Sequence, residues 1–150
     1  KENKISHSLV IVGQKSWLFD EIFKTLEDEG ISDQVFFTGF VDNMDKTSFY
    51  RHADLFIYPS LYEGFGIPIL EAMAMGTPVV CSDSSSMPEV GGDAAFYIDP
   101  LDIESIANGI ETVLGNEDLK KSMIDKGYNQ IKKFSWDESA EKLKTLYMSI

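Results

Sequence analysis

The chain has 150 residues, enough for one domain that buries a core of its own. Its formal net charge is −12 at pH 7, and so negative a surface argues against nucleic acid as a partner. The single cysteine excludes an internal disulfide and favours a reducing, cytoplasmic setting. Cys81 ends an apolar run, so we expect a small buried residue and not a reactive thiol.

Short apolar runs alternate with helical patterns through the first two thirds of the chain. Strands are predicted at 9–13, 34–38, 54–58, 78–82 and 95–98. Helices are predicted at 17–29, 45–53 (with Asn43 as its cap) and 67–75, with a short helical turn before Gly91. The first strand is an unbroken apolar run, which predicts burial on both faces. The repeat predicts a doubly wound parallel α/β sheet, Rossmann-like, with ligands beyond the carboxyl ends of its strands.

Three helices are predicted after the last strand. Asp102 is the expected cap of the first, which stops at Gly115. Asn116 is the expected cap of the second, and Ser135 with Glu138 forms the capping box of the third. No linker or repeat interrupts the chain, so residues 1–150 are predicted to form a single domain.

The stretch from Pro59 to Pro78 carries the strongest chemical signal. A strand, a turn with two glycines and a helix start follow one another, and this order makes an anion pocket from free backbone N–H groups and the helix dipole. Glu63 and Glu71 bracket the turn, and carboxylates suit hydroxyl groups, which donate hydrogen bonds to them. Phosphate on the amides and hydroxyls on the glutamates together suggest a sugar nucleotide.

The sequence around these glutamates resembles a known donor-binding signature. Glu63-Gly-Phe-Gly-Ile-Pro-Ile-Leu-Glu71, preceded by Pro-Ser and followed by Ala-Met-Ala-x-Gly-x-Pro-Val-Val, is similar to that of retaining nucleotide-sugar glycosyltransferases (glycosyltransferase family 4, group 1). Further matches follow the family order across the whole chain: Gly39-Phe40-Val41, Ser82-Asp83 with Pro88 to Gly92, and Phe134-Ser135-Trp136. The resemblance implies the C-terminal, donor-binding half of an enzyme of the GT-B fold.

The resemblance also implies roles for individual residues. Glu71 would bind the ribose hydroxyls, although a glutamate in a first helical turn can serve the dipole alone. Glu63 would contact the transferred sugar and is the candidate catalytic residue. The remaining candidates are backbone groups: for the diphosphate and sugar Gly64, Phe65, Gly66 and Ile67, and for the nucleobase Gly39, Phe40 and Val41.

The implied reaction transfers a hexose-type sugar from a nucleoside diphosphate sugar to a glycan or lipid-linked acceptor, in surface polysaccharide synthesis. Neither a metal nor another cofactor is expected, and no Cys, His or carboxylate cluster has metal-ligand spacing. In the family an N-terminal domain binds the acceptor, and we expect this chain to lack it. We therefore expect no transferase activity from this domain alone, and peripheral membrane association only of the full-length protein.

Two other functions stay open: a nucleotide-binding module without chemistry, and half of a sugar-nucleotide epimerase. A dinucleotide site of the dehydrogenase type is disfavoured, because residues 12–16 lack the Gly-x-Gly-x-x-Gly turn.

The family also has a strand, and a helix with an Arg and a Lys, ahead of residues 9–13. Without that strand, strands 9–12 and 54–58 would each keep an unpaired inner edge, which is costly. We expect these two strands to pair directly, or an edge to pair with a second copy of the chain.

Overall fold

The computed structural model describes residues 5–14 and 19–149, except for the side chain of Phe19. The first two residues of the predicted helix 17–29, Trp17 and Leu18, lie outside the described residues. The chain divides into two compact units, residues 1–49 and 50–150, and each is described by itself.

The first unit contains two parallel strands and a helix between them. They are β1 (Leu9–Val12), α1 (Phe19–Glu29) and β2 (Val35–Gly39). Leu26 of the helix and Val35 of the second strand are buried, and the rings of Phe23 and Phe37 lie 5.1 Å apart. The predicted strand–helix–strand unit is confirmed.

The burial predicted for β1 is wrong. Leu9, Val10 and Val12 remain 46%, 41% and 41% exposed. Among the described strands only β2 pairs with β1, so β1 has a neighbouring strand on one side only. The side chains of such an edge strand are covered less than those of an interior strand.

The helix α2 (Asn43–His52) begins in the first unit and ends in the second. Its predicted cap, Asn43, is wrong by one residue. The Asp42 carboxylate accepts hydrogen bonds from the N–H groups of Met44 and Asp45, both at 2.9 Å. Asp42 can reach these orphan amides because it precedes the first helical residue, the usual place of a capping side chain.

The second unit has a three-stranded parallel sheet with helices on both faces. Its strands are β3 (Phe56–Tyr58), β4 (Val79–Ser82) and β5 (Ala95–Ile98), in the order β3-β4-β5. The helices α3 (Ile67–Ala74) and α4 (Met87–Gly91) follow β3 and β4 in the chain. The doubly wound, Rossmann-like α/β fold is confirmed.

The strand β4 is the centre of this core. Val79 and Cys81 pack on one side with residues of α3 and α4. Val80 packs on the other side with Ile98 and with Val113 and Met123 of the later helices. Alternate residues of a strand face opposite sides, so a central strand covered on both faces needs the apolar run found here. Burial raises the pKa of the Cys81 thiol to about 12, as expected for a packed cysteine and not a reactive one.

The three predicted C-terminal helices are α5 (Ile103–Leu114), α6 (Glu117–Gln130) and α7 (Trp136–Met148). The side chains of the predicted caps accept from backbone N–H groups near each start: Asp102 from Glu104 at 2.9 Å, Asn116 from Leu119 at 3.0 Å and Ser135 from Glu138 at 3.3 Å. Within the described part of the chain, no helix is long and apolar enough to cross a membrane.

The expected direct pairing of the first and third strands is wrong. In the residues that the structure describes, β1 pairs with β2 alone and β3 with β4 alone, which gives two separate sheets. Each of these strands pairs with the next strand across its own helical crossover, α1 or α3, as the local connection favours. Pairing of an edge with a second copy stays a prediction.

Candidate functional site

The turn between β3 and α3 has the geometry that the sequence predicts. Gly66 precedes α3 with φ of +100° and ψ of 41°, a left-handed conformation, and its carbonyl accepts from the Ile69 N–H at 3.0 Å. No side chain caps α3, so its first amides lack the side-chain acceptor that closes the starts of α5, α6 and α7. An uncapped helix start attracts an anion.

A loop of three serines after β4 fixes the turn. Ser85 Oγ accepts from the Glu63 N–H at 3.1 Å, while Ser84 Oγ donates to the Leu61 carbonyl at 3.2 Å. Ser86 Oγ lies 3.0 Å from the Glu63 carbonyl and 2.8 Å from that of Phe65. The loop therefore sets the direction of the peptide groups on both sides of Gly64. Both loops follow the carboxyl ends of adjacent parallel strands, the edge where the fold predicts a ligand.

Glu71 is half-buried in α3 and is hydrogen-bonded to a tyrosine. Tyr50 Oη donates to Glu71 Oε2 at 3.0 Å. Burial, followed by the nearby charge and hydrogen bond of Glu71, raises the pKa of Tyr50. A phenol is protonated at neutral pH and Tyr50 therefore donates to the carboxylate there, while the raised pKa extends this state to more alkaline pH.

Glu63 also lies near a tyrosine, Tyr58. Burial, followed by a hydrogen bond with Glu63 and by its charge, raises the pKa of Tyr58 to about 12. The Tyr58 ring stacks on Phe56 at 5.7 Å, and Phe56 in turn meets Tyr50 edge-on at 5.1 Å. Tyr50, Phe56 and Tyr58 thus form one aromatic row that carries a phenol to each of the two carboxylates.

The side chains of Phe65 and Ile67, the two apolar residues of the turn, remain partly exposed. Phe65 is 44% exposed, and its ring meets Phe134 edge-on at 5.7 Å. Ile67 begins α3 and is also exposed. The packing of Phe65 on Phe134 accounts for its side chain, so its candidate role in ligand binding rests on the backbone.

The predicted nucleobase residues, Gly39, Phe40 and Val41, belong to the first unit, whereas the turn before α3 belongs to the second. Gly39 ends β2 with φ of +71°, and its carbonyl accepts from the Gly13 N–H at 3.2 Å. Phe40 is 76% exposed, whereas Val41 is half-buried. A left-handed glycine followed by an exposed aromatic ring offers a surface on which a base can stack.

The second unit thus brings together Glu63, the amides of residues 64–67 and Glu71. Sequence reasoning missed the two tyrosines and the individual serines. Three consecutive serines after a central strand are a weak signal for the loop, but nothing in the sequence pairs Tyr50 with a glutamate 21 residues away. In the described ranges no group of three or more His, Cys, Asp or Glu could hold a metal ion. The arrangement offers amide donors for phosphate and carboxylate acceptors for hydroxyls.

Comparison with known proteins gives consistent matches over most of the chain. A family model described as glycosyl transferases group 1 matches residues 1–130. O-antigen chain mannosyltransferase B of Escherichia coli is 38% identical over 136 residues, which is 91% of this chain and 36% of that protein. The chain therefore spans only about a third of that relative's length.

Two solved structures share the fold. Sucrose-phosphate synthase from Thermosynechococcus elongatus superposes with a TM-score of 0.83 and 26% identity, over 95% of this chain and 38% of that one. A mutant of TarM from S. aureus, in complex with fondaparinux, alpha-GlcNAc-glycerol and UDP, has a TM-score of 0.82 and 26% identity, over 93% of this chain and 29% of that one.

Proposed function

The chain belongs to the group 1 glycosyl transferases, and from this premise we propose that it is the donor-binding part of a retaining hexosyltransferase. The donor is a nucleoside diphosphate sugar. One observation carries the proposal: two carboxylates with tyrosine partners flank an uncapped helix start in a turn fixed by serine hydroxyls. Such a site satisfies a phosphate and sugar hydroxyls together.

Each part of the donor has a proposed partner. The diphosphate accepts hydrogen bonds from the amides of residues 64–67 and lies at the positive end of the α3 dipole. The ribose hydroxyls donate to Glu71, and the hydroxyls of the transferred sugar donate to Glu63. The base stacks at Gly39, Phe40 and Val41. A UDP complex in TarM, a structural relative, supports a nucleoside diphosphate as the ligand.

The catalytic task of this site is to stabilise the leaving group. As the bond between sugar and diphosphate breaks, negative charge develops on the departing phosphate oxygen. Preorganised amides and the helix dipole stabilise that charge without a change in their own orientation. No protein nucleophile is needed if the leaving phosphate itself assists the attack of the acceptor. Glu63 then orients the sugar and does not become covalently attached to it.

The acceptor of the reaction binds outside this site. The acceptor, a glycan or a lipid-linked sugar, binds to another domain of the enzyme, so the transfer step requires that domain. The enzyme acts in the cytoplasm, in the synthesis of surface polysaccharide, without a metal cofactor. The name of the Escherichia coli relative makes mannose the first sugar to test.

The test replaces Glu71 by glutamine, which keeps the shape but removes the charge. We expect Glu71→Gln to weaken nucleoside diphosphate binding by about 1–3 kcal/mol, the cost of losing a hydrogen bond to a charged group. Isothermal titration calorimetry with UDP, GDP and ADP measures the change. The matched control is Glu104→Gln, at an exposed glutamate of α5. Equal affinities for the wild type and Glu71→Gln would contradict the assignment of the ribose to Glu71.

A further inference from the structure

Tyr50 is fixed by three contacts from different elements. Its hydroxyl donates to Glu71 Oε2 at 3.0 Å, and its ring meets Phe56 of β3 edge-on at 5.1 Å. Its backbone carbonyl accepts from Thr77 Oγ1 at 2.6 Å, and the Thr77 side chain is buried just ahead of β4. The phenol therefore has little freedom to turn away from the carboxylate.

A phenol in a fixed position restricts the orientation of the Glu71 side chain. A glutamate side chain has three rotatable bonds and takes several orientations when nothing selects among them. A donor in a fixed position selects one of these orientations before the ligand arrives. A carboxylate that is already oriented loses less conformational freedom on binding, so more of the energy of its hydrogen bonds to a ligand remains as affinity.

We propose that Tyr50 is a positioning residue for Glu71 and thereby sets the preference of the site for ribonucleotides over 2′-deoxyribonucleotides. The inference rests on the proposed function, because it takes the ribose as the partner of Glu71. A site built around an oriented acceptor discriminates strongly against a ligand without the matching hydroxyl, since the half-buried carboxylate is then left without that donor.

A purely structural role for Tyr50 makes a different prediction. The ring contact with Phe56 and the backbone bond from Thr77 both survive in Tyr50→Phe, which lacks only the hydroxyl oxygen. If the tyrosine merely filled the core, this variant would bind the ribose and 2′-deoxyribose forms of a nucleotide in the same ratio as the wild type.

The experiment measures this ratio. Calorimetry on the full 150-residue chain gives the affinities of the wild type and Tyr50→Phe for UDP and GDP and for their 2′-deoxy counterparts. We expect Tyr50→Phe to weaken binding of the ribonucleotide that the wild type prefers by about 2- to 12-fold, the conformational cost of ordering one side chain on binding. Binding of the 2′-deoxy form should weaken by a smaller factor, because one of the hydroxyl contacts that Tyr50 supports is already absent while the 3′-hydroxyl remains.

Two further variants separate positioning from stability. Tyr97→Phe removes a comparable hydroxyl, whose oxygen lies 2.6 Å from the Gly92 carbonyl, and it should lower the melting temperature without changing the ratio. The double variant Tyr50→Phe/Glu71→Gln should bind UDP or GDP no more weakly than Glu71→Gln alone, since Tyr50 acts through Glu71.

The outcomes distinguish the two hypotheses. If the wild type prefers the ribose form, Glu71→Gln abolishes that preference and Tyr50→Phe retains it, the inference is overturned and the proposed function stands. If the wild type binds none of the nucleotides, or if Glu71→Gln binds them as well as the wild type does, the ribose assignment fails and the inference fails with it.

Discussion

Gly64 and Gly66 lie in the same turn but differ in what their backbone requires. Gly66 has φ of +100°, and a Cβ there would lie 3.3 Å from Ile69 Cδ1. At Gly64 the backbone is not left-handed, and no atom lies within 4 Å of the place where a Cβ would stand. The backbone conformation therefore accounts for a glycine at position 66 but not at position 64. A glycine at position 64 would suit the proposed close approach of the donor to the backbone.

This difference predicts that two alanine substitutions affect different properties, stability at Gly66 and ligand binding at Gly64. Gly66→Ala should lower the free energy of unfolding by about 1–2 kcal/mol, the cost of a left-handed conformation for a residue with a Cβ. Gly64→Ala should leave stability within about 1 kcal/mol of the wild type and weaken UDP or GDP binding. Urea denaturation and calorimetry measure the two quantities. Equal losses of stability in the two variants would refute the distinction.

At the scale of the elements, one hydrogen bond connects the end of α2 with the start of β4. Thr77 Oγ1 donates to the Tyr50 carbonyl at 2.6 Å, and the Thr77 side chain is buried. The same carbonyl also accepts from the Ala53 N–H at 3.2 Å, so it keeps one partner when the threonine hydroxyl is removed. Removing the threonine hydroxyl therefore costs one net hydrogen bond and does not leave the Tyr50 carbonyl without a partner.

Thr77→Val tests this connection with little change in side-chain shape. We expect the free energy of unfolding to fall by about 1 kcal/mol, the typical net contribution of one hydrogen bond. Thr112→Val, at an exposed threonine of α5, is the matched control and should change stability by less than about 0.5 kcal/mol. Both are measured by urea denaturation. A loss in Thr77→Val no larger than in the control would show that the contact does not stabilise the fold.

At the scale of the whole molecule, several buried or partly buried acidic side chains keep their protons in the folded state. Burial is the main cause that raises the pKa of Cys81, Tyr58 and Tyr97 to about 12 each, from ordinary values of 9.0 for the thiol and 10.0 for the phenols. The pKa of Tyr50 is raised as well. Above the ordinary values the unfolded chain releases these protons while the folded chain retains them, so unfolding is favoured as the pH rises.

Stability should therefore be at its full value below about pH 9 and fall between about pH 9 and pH 12. Urea denaturation at about pH 8 and about pH 11, followed by tryptophan fluorescence, measures the decline. Tyr97→Phe removes one of the titrating groups, and we expect its stability to decline less over the same interval than that of the wild type. A free energy of unfolding that stays constant up to about pH 11 would contradict the raised pKa values.

Local chemistry in the sequence determined much of this protein. Alternating apolar runs, the caps at Asp102, Asn116 and Ser135, and the glycine turn before α3 all act over a few neighbouring residues, so periodicity and side-chain type predict them. The cap at Asn43 was wrong by one position, since Asp42 and Asn43 are both capping residue types and only the backbone selects between them.

Tertiary structure decided the rest. Tyr50 meets Glu71 across 21 residues, and Ser86 meets Phe65 across another 21, through contacts that packing around β4 brings together. The exposure of β1 likewise depends on which strands border it, and an apolar run alone does not specify its neighbours. The sequence thus predicted which groups would bind a sugar nucleotide, and packing determined which hydroxyls contact them, because such contacts leave no periodic pattern along the chain.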